Sequence, residues 1–188
     1  QLEDPFAPKD MDRAVERIRR AVEEGEMIAI YGDYDADGVT STVVLFTYLE
    51  SIGADVRYYI PTRDGEGYGL NKKAIDTIAK MGITLMITVD NGITAIEEIS
   101  YANSLGVDVV VTDHHRPKEQ LPEAYAVVDP YRPDDTTTFK GLAGVGVAFK
   151  LVCALEEDVE SMLDYYAELV TIGTIADVMP MSGENRVI

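Results

Sequence analysis

The chain has 188 residues, 46% of them hydrophobic, enough for one α/β domain with a full core. Sixteen Lys plus Arg face 34 Asp plus Glu, a net charge of −18 that excludes a protein holding nucleic acid through a broad basic surface. A single cysteine excludes a disulfide framework. With no apolar run of bilayer length and no basic, apolar leader in QLEDPFAPKD, the chain reads as soluble and cytoplasmic, with no membrane partner.

In chain order, Met11, Ala14, Val15, Ile18, Ala21 and Val22 recur at three- and four-residue spacing, which predicts an amphipathic helix stopping at Gly25. MIAIY (27–31) predicts a buried strand, Val39 to Ile52 a helix ending at Gly53, and DVRYYI (55–60) a strand. Helix 71–81, strand TLMITVD (84–90), helix 94–105 and strand VDVVVTD (107–113) follow. A proline- and acid-rich stretch then carries a short strand, AYAVVD; GLAGVGVAFKLVCALEE enters a helix through a glycine-rich turn; and a further helix spans roughly 159–175. Cys153 reads as a small buried hydrophobe. Continuous apolar strands alternating with helices predict a doubly wound, mainly parallel sheet flanked by helices, with a helical C-terminal segment. The last residues, ENRVI, read as the start of a strand or loop, so residues 1–188 are expected to be one domain of a longer protein.

In such a sheet ligands bind beyond the carboxyl ends of the strands. Asp33, Asp35 and Asp37 follow the first strand, Asp90 ends the third, and Asp113, His114 and His115 end the fourth. Like charges this close repel and bury badly, so a cation is the expected partner, against the plainer alternative of a solvated acidic turn. The only two histidines stand together in VTDHH. Asp35, Asp37, Asp90, Asp177 and His114 would supply four carboxylates and one imidazole, a donor set suited to Mn²⁺ or Mg²⁺, and a bridging carboxylate can hold two ions for phosphoryl chemistry. Asp33 can ligate, orient a ligand or cap the turn. Gly38 is expected to turn the backbone into a helix whose first amides, 39–41, with the hydroxyls of Thr40 and Ser41, suit a phosphate. Arg116 reads as a phosphate contact or as solvated surface. Tyr68 and Asn71 are candidate cleft residues; Gly141, Gly144 and Gly146 predict close packing or backbone approach near the metals.

The stretches DPFAPKDMDRAVERI, IYGDYDADGVTST, EGYGLN, TVDNGITA, VTDHH, LPEAYAVVDP, LAGVGVAFKL and IGTIADVMPM resemble the DHH phosphoesterase superfamily, in its branch of bacterial single-strand-specific 5′-to-3′ exonucleases. The resemblance implies hydrolysis of phosphodiester bonds with two Mn²⁺ or Mg²⁺ ions, releasing 5′-mononucleotides from single-stranded DNA in repair and recombination. It implies Asp35, Asp37, Asp90, His114 and Asp177 as ligands with Asp90 as the bridge, His115 on the scissile phosphate, and Asp113 steering His114. Single-strand-binding protein and helicase are the implied protein partners. Tyr31 departs from the histidine that many smaller members carry four residues before the first ligand aspartate, which predicts a weaker or more hydrated metal. The longer members continue into DHHA1 and OB-fold domains that this sequence does not include, so the fragment is expected to bind DNA poorly. The alternatives are a relative acting on oligonucleotides or cyclic dinucleotides, and a non-catalytic replication scaffold.

Overall fold

The structure, a computed structural model, describes residues 1–62 and 68–188. The first two residues of EGYGLN, Glu66 and Gly67, lie outside the described residues. Helix α1 (Met11–Glu24) buries the predicted stripe Met11, Ala14, Val15, Ile18 and Ala21 and stops at Gly25, whose φ of 68° takes the left-handed conformation that glycine tolerates. Strand β1 (Met27–Gly32) follows, then α2 (Ala36–Ser51), β2 (Asp55–Tyr59), α3 (Lys72–Lys80), β3 (Leu85–Val89), α4 (Ile96–Ser104), β4 (Asp108–Thr112) and β5 (Ala126–Val128). Three helices close the chain: α5 (Gly144–Glu156), α6 (Val159–Ala176) and α7 (Glu184–Val187).

All five strands are parallel, in the order β2-β1-β3-β4-β5. Because β2 and β3 flank β1 on opposite sides, the winding direction reverses between them and opens a crevice at the carboxyl ends of β1 and β3. Successive strand residues point to opposite faces. Ile28, Ile30, Leu85, Ile87, Val89 and Val110 enter one core with α1, α2 and α5. Ala29, Tyr31, Met86, Val109 and Val111 enter a second core that includes Ile75 of α3 and Ile99 of α4. Covered on both faces, β1, β3, β4 and β5 read as near-continuous apolar runs, whereas the edge strand β2 buries only Val56.

Two boundaries differ from expectation for local reasons. Helix α2 begins at Ala36, not Val39, because the Asp35 carboxylate accepts from the Gly38 amide at 2.7 Å and so caps the helix three residues earlier. The expected strand or loop at ENRVI is instead α7, whose Glu184 is buried and accepts from the buried Lys150 ammonium at 2.7 Å. Among the described residues no helix is long and apolar enough to cross a membrane.

Candidate metal centre

The acidic loops meet at the crevice. Asp37 lies in the first turn of α2, and its two carboxylate oxygens accept from the Gly144 and Val145 amides, each at 2.8 Å. No side chain of α5 caps that helix, so Asp37 closes its amino end from a different element. Asp90 leaves β3 with φ 60°, a left-handed conformation uncommon outside glycine. Its carboxylate lies directly over Gly144, where an added Cβ would stand 2.5 Å from Oδ1. His114 follows β4, and Asp177 ends α6.

These side chains converge on one imidazole nitrogen. His114 Nε2 is 2.9 Å from Asp90 Oδ1, 3.4 Å from Asp37 Oδ2 and 3.6 Å from Asp177 Oδ2. Yet neither His114 Nε2 nor Asp90 Oδ1, both buried, makes a hydrogen bond. Donor atoms cluster within 4.8 Å in two groups that share His114: Asp37, His114 and Asp177, and Asp90, Asp113, His114 and His115. Asp35 belongs to neither group; it is exposed on the adjoining cleft with one oxygen held by the Gly38 amide.

Burial, reinforced by the negative charges of Asp37, Asp35 and Asp113, pushes the Asp90 carboxyl up to about 11. Asp37 is also raised, chiefly by burial and against the two amides that stabilise its anion. A set of desolvated oxygens crowding an unpartnered imidazole nitrogen fits a divalent cation, which would satisfy the lone pairs and cancel the repulsion.

Asp113 differs from expectation. Its Oδ1 accepts from the backbone amide of His114 (2.8 Å) and pairs with His115 Nδ1 (2.6 Å), while Oδ2 accepts from the Ile93 amide (3.1 Å). It therefore steers the ring of His115, not that of His114: the carboxylate folds back over the next two residues, leaving the His114 ring free to face Asp90. The pairing with Asp113 raises His115 to about 9, against the opposing effect of burial.

A cleft of about 560 Å³ opens beside this cluster, lined among others by Asp33, Asp35, Asp90, Asp113 and His115. Asp33 is buried, accepts from the Gly69 amide at 2.9 Å, and is raised mainly by burial. Tyr68 also lines the cleft, stacked on Tyr34 with centroids 4.5 Å apart. Asn71 does not; its side chain caps α3 through the Ala74 amide. Tyr31 turns into the second core, where its hydroxyl donates to the Gly69 carbonyl.

Three further expectations are corrected. The hydroxyls of Thr40 and Ser41 donate to α2 carbonyls, those of Ala36 and Asp37, and the Val39 amide bonds the Asp35 carbonyl, so this turn keeps its donors for itself. Gly38 is needed for close approach instead of turning: a Cβ there would lie 2.4 Å from the Asp33 carbonyl oxygen. The Arg116 guanidinium lies over the Tyr131 ring, 4.7 Å from its centroid, and is absent from the cleft lining. The expected close packing holds at all three glycines: Gly144 lies against the Asp90 carboxylate, Gly141 against Phe139 and Pro180, and Gly146 against Leu142.

Asp129 and Lys118 went unnoticed in the sequence. Asp129 is fully buried after β5, with Oδ2 unpartnered and its carboxyl pushed up to about 8, first by burial. It closes AYAVVD as Asp90 and Asp113 close their strands, so the strand-end rule would have found it. Lys118 lines the cleft from the β4–β5 connection, which carries no periodic pattern that could have placed it.

The single-stranded-DNA-specific exonuclease RecJ of Bacillus subtilis (strain 168) is 50% identical over 185 residues, covering 98% of this chain and 23% of that protein. A crystal structure of exonuclease RecJ bound to manganese superposes with a TM-score of 0.89 at 38% identity, over 100% of this chain and 48% of that one. A crystal structure of RecJ from Thermus thermophilus in complex with Mn²⁺ gives 0.81 at 37% identity, over 97% and 27%. The chain thus spans about a quarter to a half of the length of these relatives. The model of the DHH family, N-terminal domain, matches residues 27–174, from the first strand through the crevice and into α6. On that match, and on half-identical sequence across almost its whole length, the chain belongs to the DHH family.

Proposed function

We propose that the crevice is a two-metal phosphodiesterase centre, and that the whole protein uses it as a 5′-to-3′ exonuclease on single-stranded DNA, in repair and recombination. The observation that carries this is the convergence of three buried or half-buried carboxylates on His114 Nε2, with that nitrogen and Asp90 Oδ1 unpartnered. The similarity to exonucleases solved with manganese supports it.

Asp35, Asp37, Asp90, His114 and Asp177 would hold the Mn²⁺ or Mg²⁺ ions. When bound, such a pair supplies Lewis acidity and makes water a competent nucleophile near neutral pH. The residues of the chain do the rest. Asp113 fixes His115 at Nδ1 and turns the ring into the cleft, where it donates to a phosphate oxygen. Gly144 and Val145 hold Asp37 in place through their amides, and Asp33 ties the acidic loop to Gly69.

Calorimetric titration with Mn²⁺ tests the centre. Asp90→Ala is expected to weaken binding by roughly tenfold or more and to abolish hydrolysis of a 5′-phosphorylated single-stranded oligonucleotide. Unchanged affinity would remove Asp90 from the centre.

A further inference from the structure

A polyanionic substrate must enter a cleft walled by Asp33, Asp35, Asp90, Asp113 and Glu98 on a protein of net charge −18. Among the described residues only two basic side chains line that cleft, His115 and Lys118. His115 is engaged by Asp113 at 2.6 Å. Lys118 is exposed and, among the described residues, makes no ion pair or hydrogen bond. Arg116, two residues earlier, lies over the Tyr131 ring and does not line the cleft.

The position of Lys118 is informative. A second depression of about 410 Å³, lined by Thr94, Ile96, Glu97, Glu98 and Lys118, adjoins the cleft, and Thr94, Glu98 and Lys118 line both. Lys118 therefore stands where the cleft continues into a further stretch of surface, which itself carries Glu97 and Glu98. A ligand with one phosphate on the floor need not reach that boundary. A nucleotide chain extending from the cleft into that depression would pass it.

We propose that Lys118 is a substrate-binding residue that holds a phosphate of the nucleotide chain next to the one being cleaved. Its ammonium offsets the carboxylate walls for a chain of two or more nucleotides, and it makes the site prefer a chain over a single phosphodiester. This rests on the phosphodiesterase reading of the same cleft.

The test compares Lys118→Ala, Lys118→Arg and Lys80→Ala, the last removing an equal charge from the end of α3 that leads away from the cleft toward the start of β3. KM for a 5′-phosphorylated oligo-dT is measured with Mn²⁺ against NaCl concentration. Lys118→Ala is expected to raise KM about fivefold with the change in KM and not in kcat. It should also flatten the dependence of log(1/KM) on log[NaCl] by about 0.7, the share of one phosphate contact on a single strand. Lys118→Arg should keep the wild-type slope, and Lys80→Ala should leave it unaltered. Equal effects from Lys118→Ala and Lys80→Ala would mean a net-charge effect only, and an unchanged slope in Lys118→Ala would mean no contact; either result overturns the proposal. A protein that binds Mn²⁺ yet cleaves neither oligo-dT nor bis(p-nitrophenyl) phosphate would overturn the phosphodiesterase reading itself, whereas cleavage with a wild-type slope in Lys118→Ala would overturn only the role of Lys118.

Discussion

Asp90 shows how a residue that serves the proposed metal centre works against the fold that carries it. Its carboxyl is raised to about 11, first by burial and then by its acidic neighbours. A carboxyl raised above its unfolded value of about 4 stabilises the fold fully below that pH and loses this contribution as pH rises toward the folded value. With chelator present, stability to urea should therefore fall steadily from pH 5 to pH 9. Asp90→Asn should flatten that decline and stabilise the metal-free protein at pH 8 by on the order of 1–2 kcal/mol, while weakening Mn²⁺ binding. Asp90 was legible in the sequence because it ends an apolar run; the exchange of partners between Asp113, His114 and His115 was not, since it depends on how the backbone turns after β4.

At the scale of elements, the end of α6 determines where Asp177 stands. The Val178 amide donates to the Ile175 carbonyl at 3.0 Å and the Met179 amide to that of Thr174 at 3.2 Å, a Schellman pattern that places residue 178 in the left-handed conformation. Glycine is usual there, whereas valine is β-branched, has φ 55° and is 88% exposed. Val178→Gly is expected to stabilise the protein by about 1 kcal/mol, since the relieved strain exceeds the entropy glycine adds to the unfolded chain. A thermal midpoint that stays put or falls in that variant would show that residue 178 carries no such strain. Helix positions were readable from periodicity, but their ends were not: α2 starts early through the Asp35 cap, and α5 is capped by Asp37 from across the crevice.

For the whole molecule, charge and metal act together. Thirty-four acidic residues against 16 basic ones make the compact state repel itself, most strongly where the carboxylates gather. A cation that binds only the folded chain stabilises it by mass action, about 2.7 kcal/mol at a hundred times its dissociation constant. Mn²⁺ should accordingly raise the thermal midpoint of the wild type and do so far less for Asp90→Ala. Equal shifts in both proteins would place the stabilising cation elsewhere on the surface.

What the sequence determined by itself was whatever depends on order along the chain: the alternation of apolar strands and amphipathic helices, and the habit of ending strands in Asp90, Asp113 and the neighbours of Asp35. Periodicity and strand ends are local properties, so a linear reading can recover them. Tertiary structure decided which donors face which. The sheet order brings β1, β3 and β4 side by side, the amino end of α5 takes up Asp37, and α6 delivers Asp177 from 140 positions beyond it. Those meetings arise from packing between distant segments, where no spacing in the sequence records the distance in space.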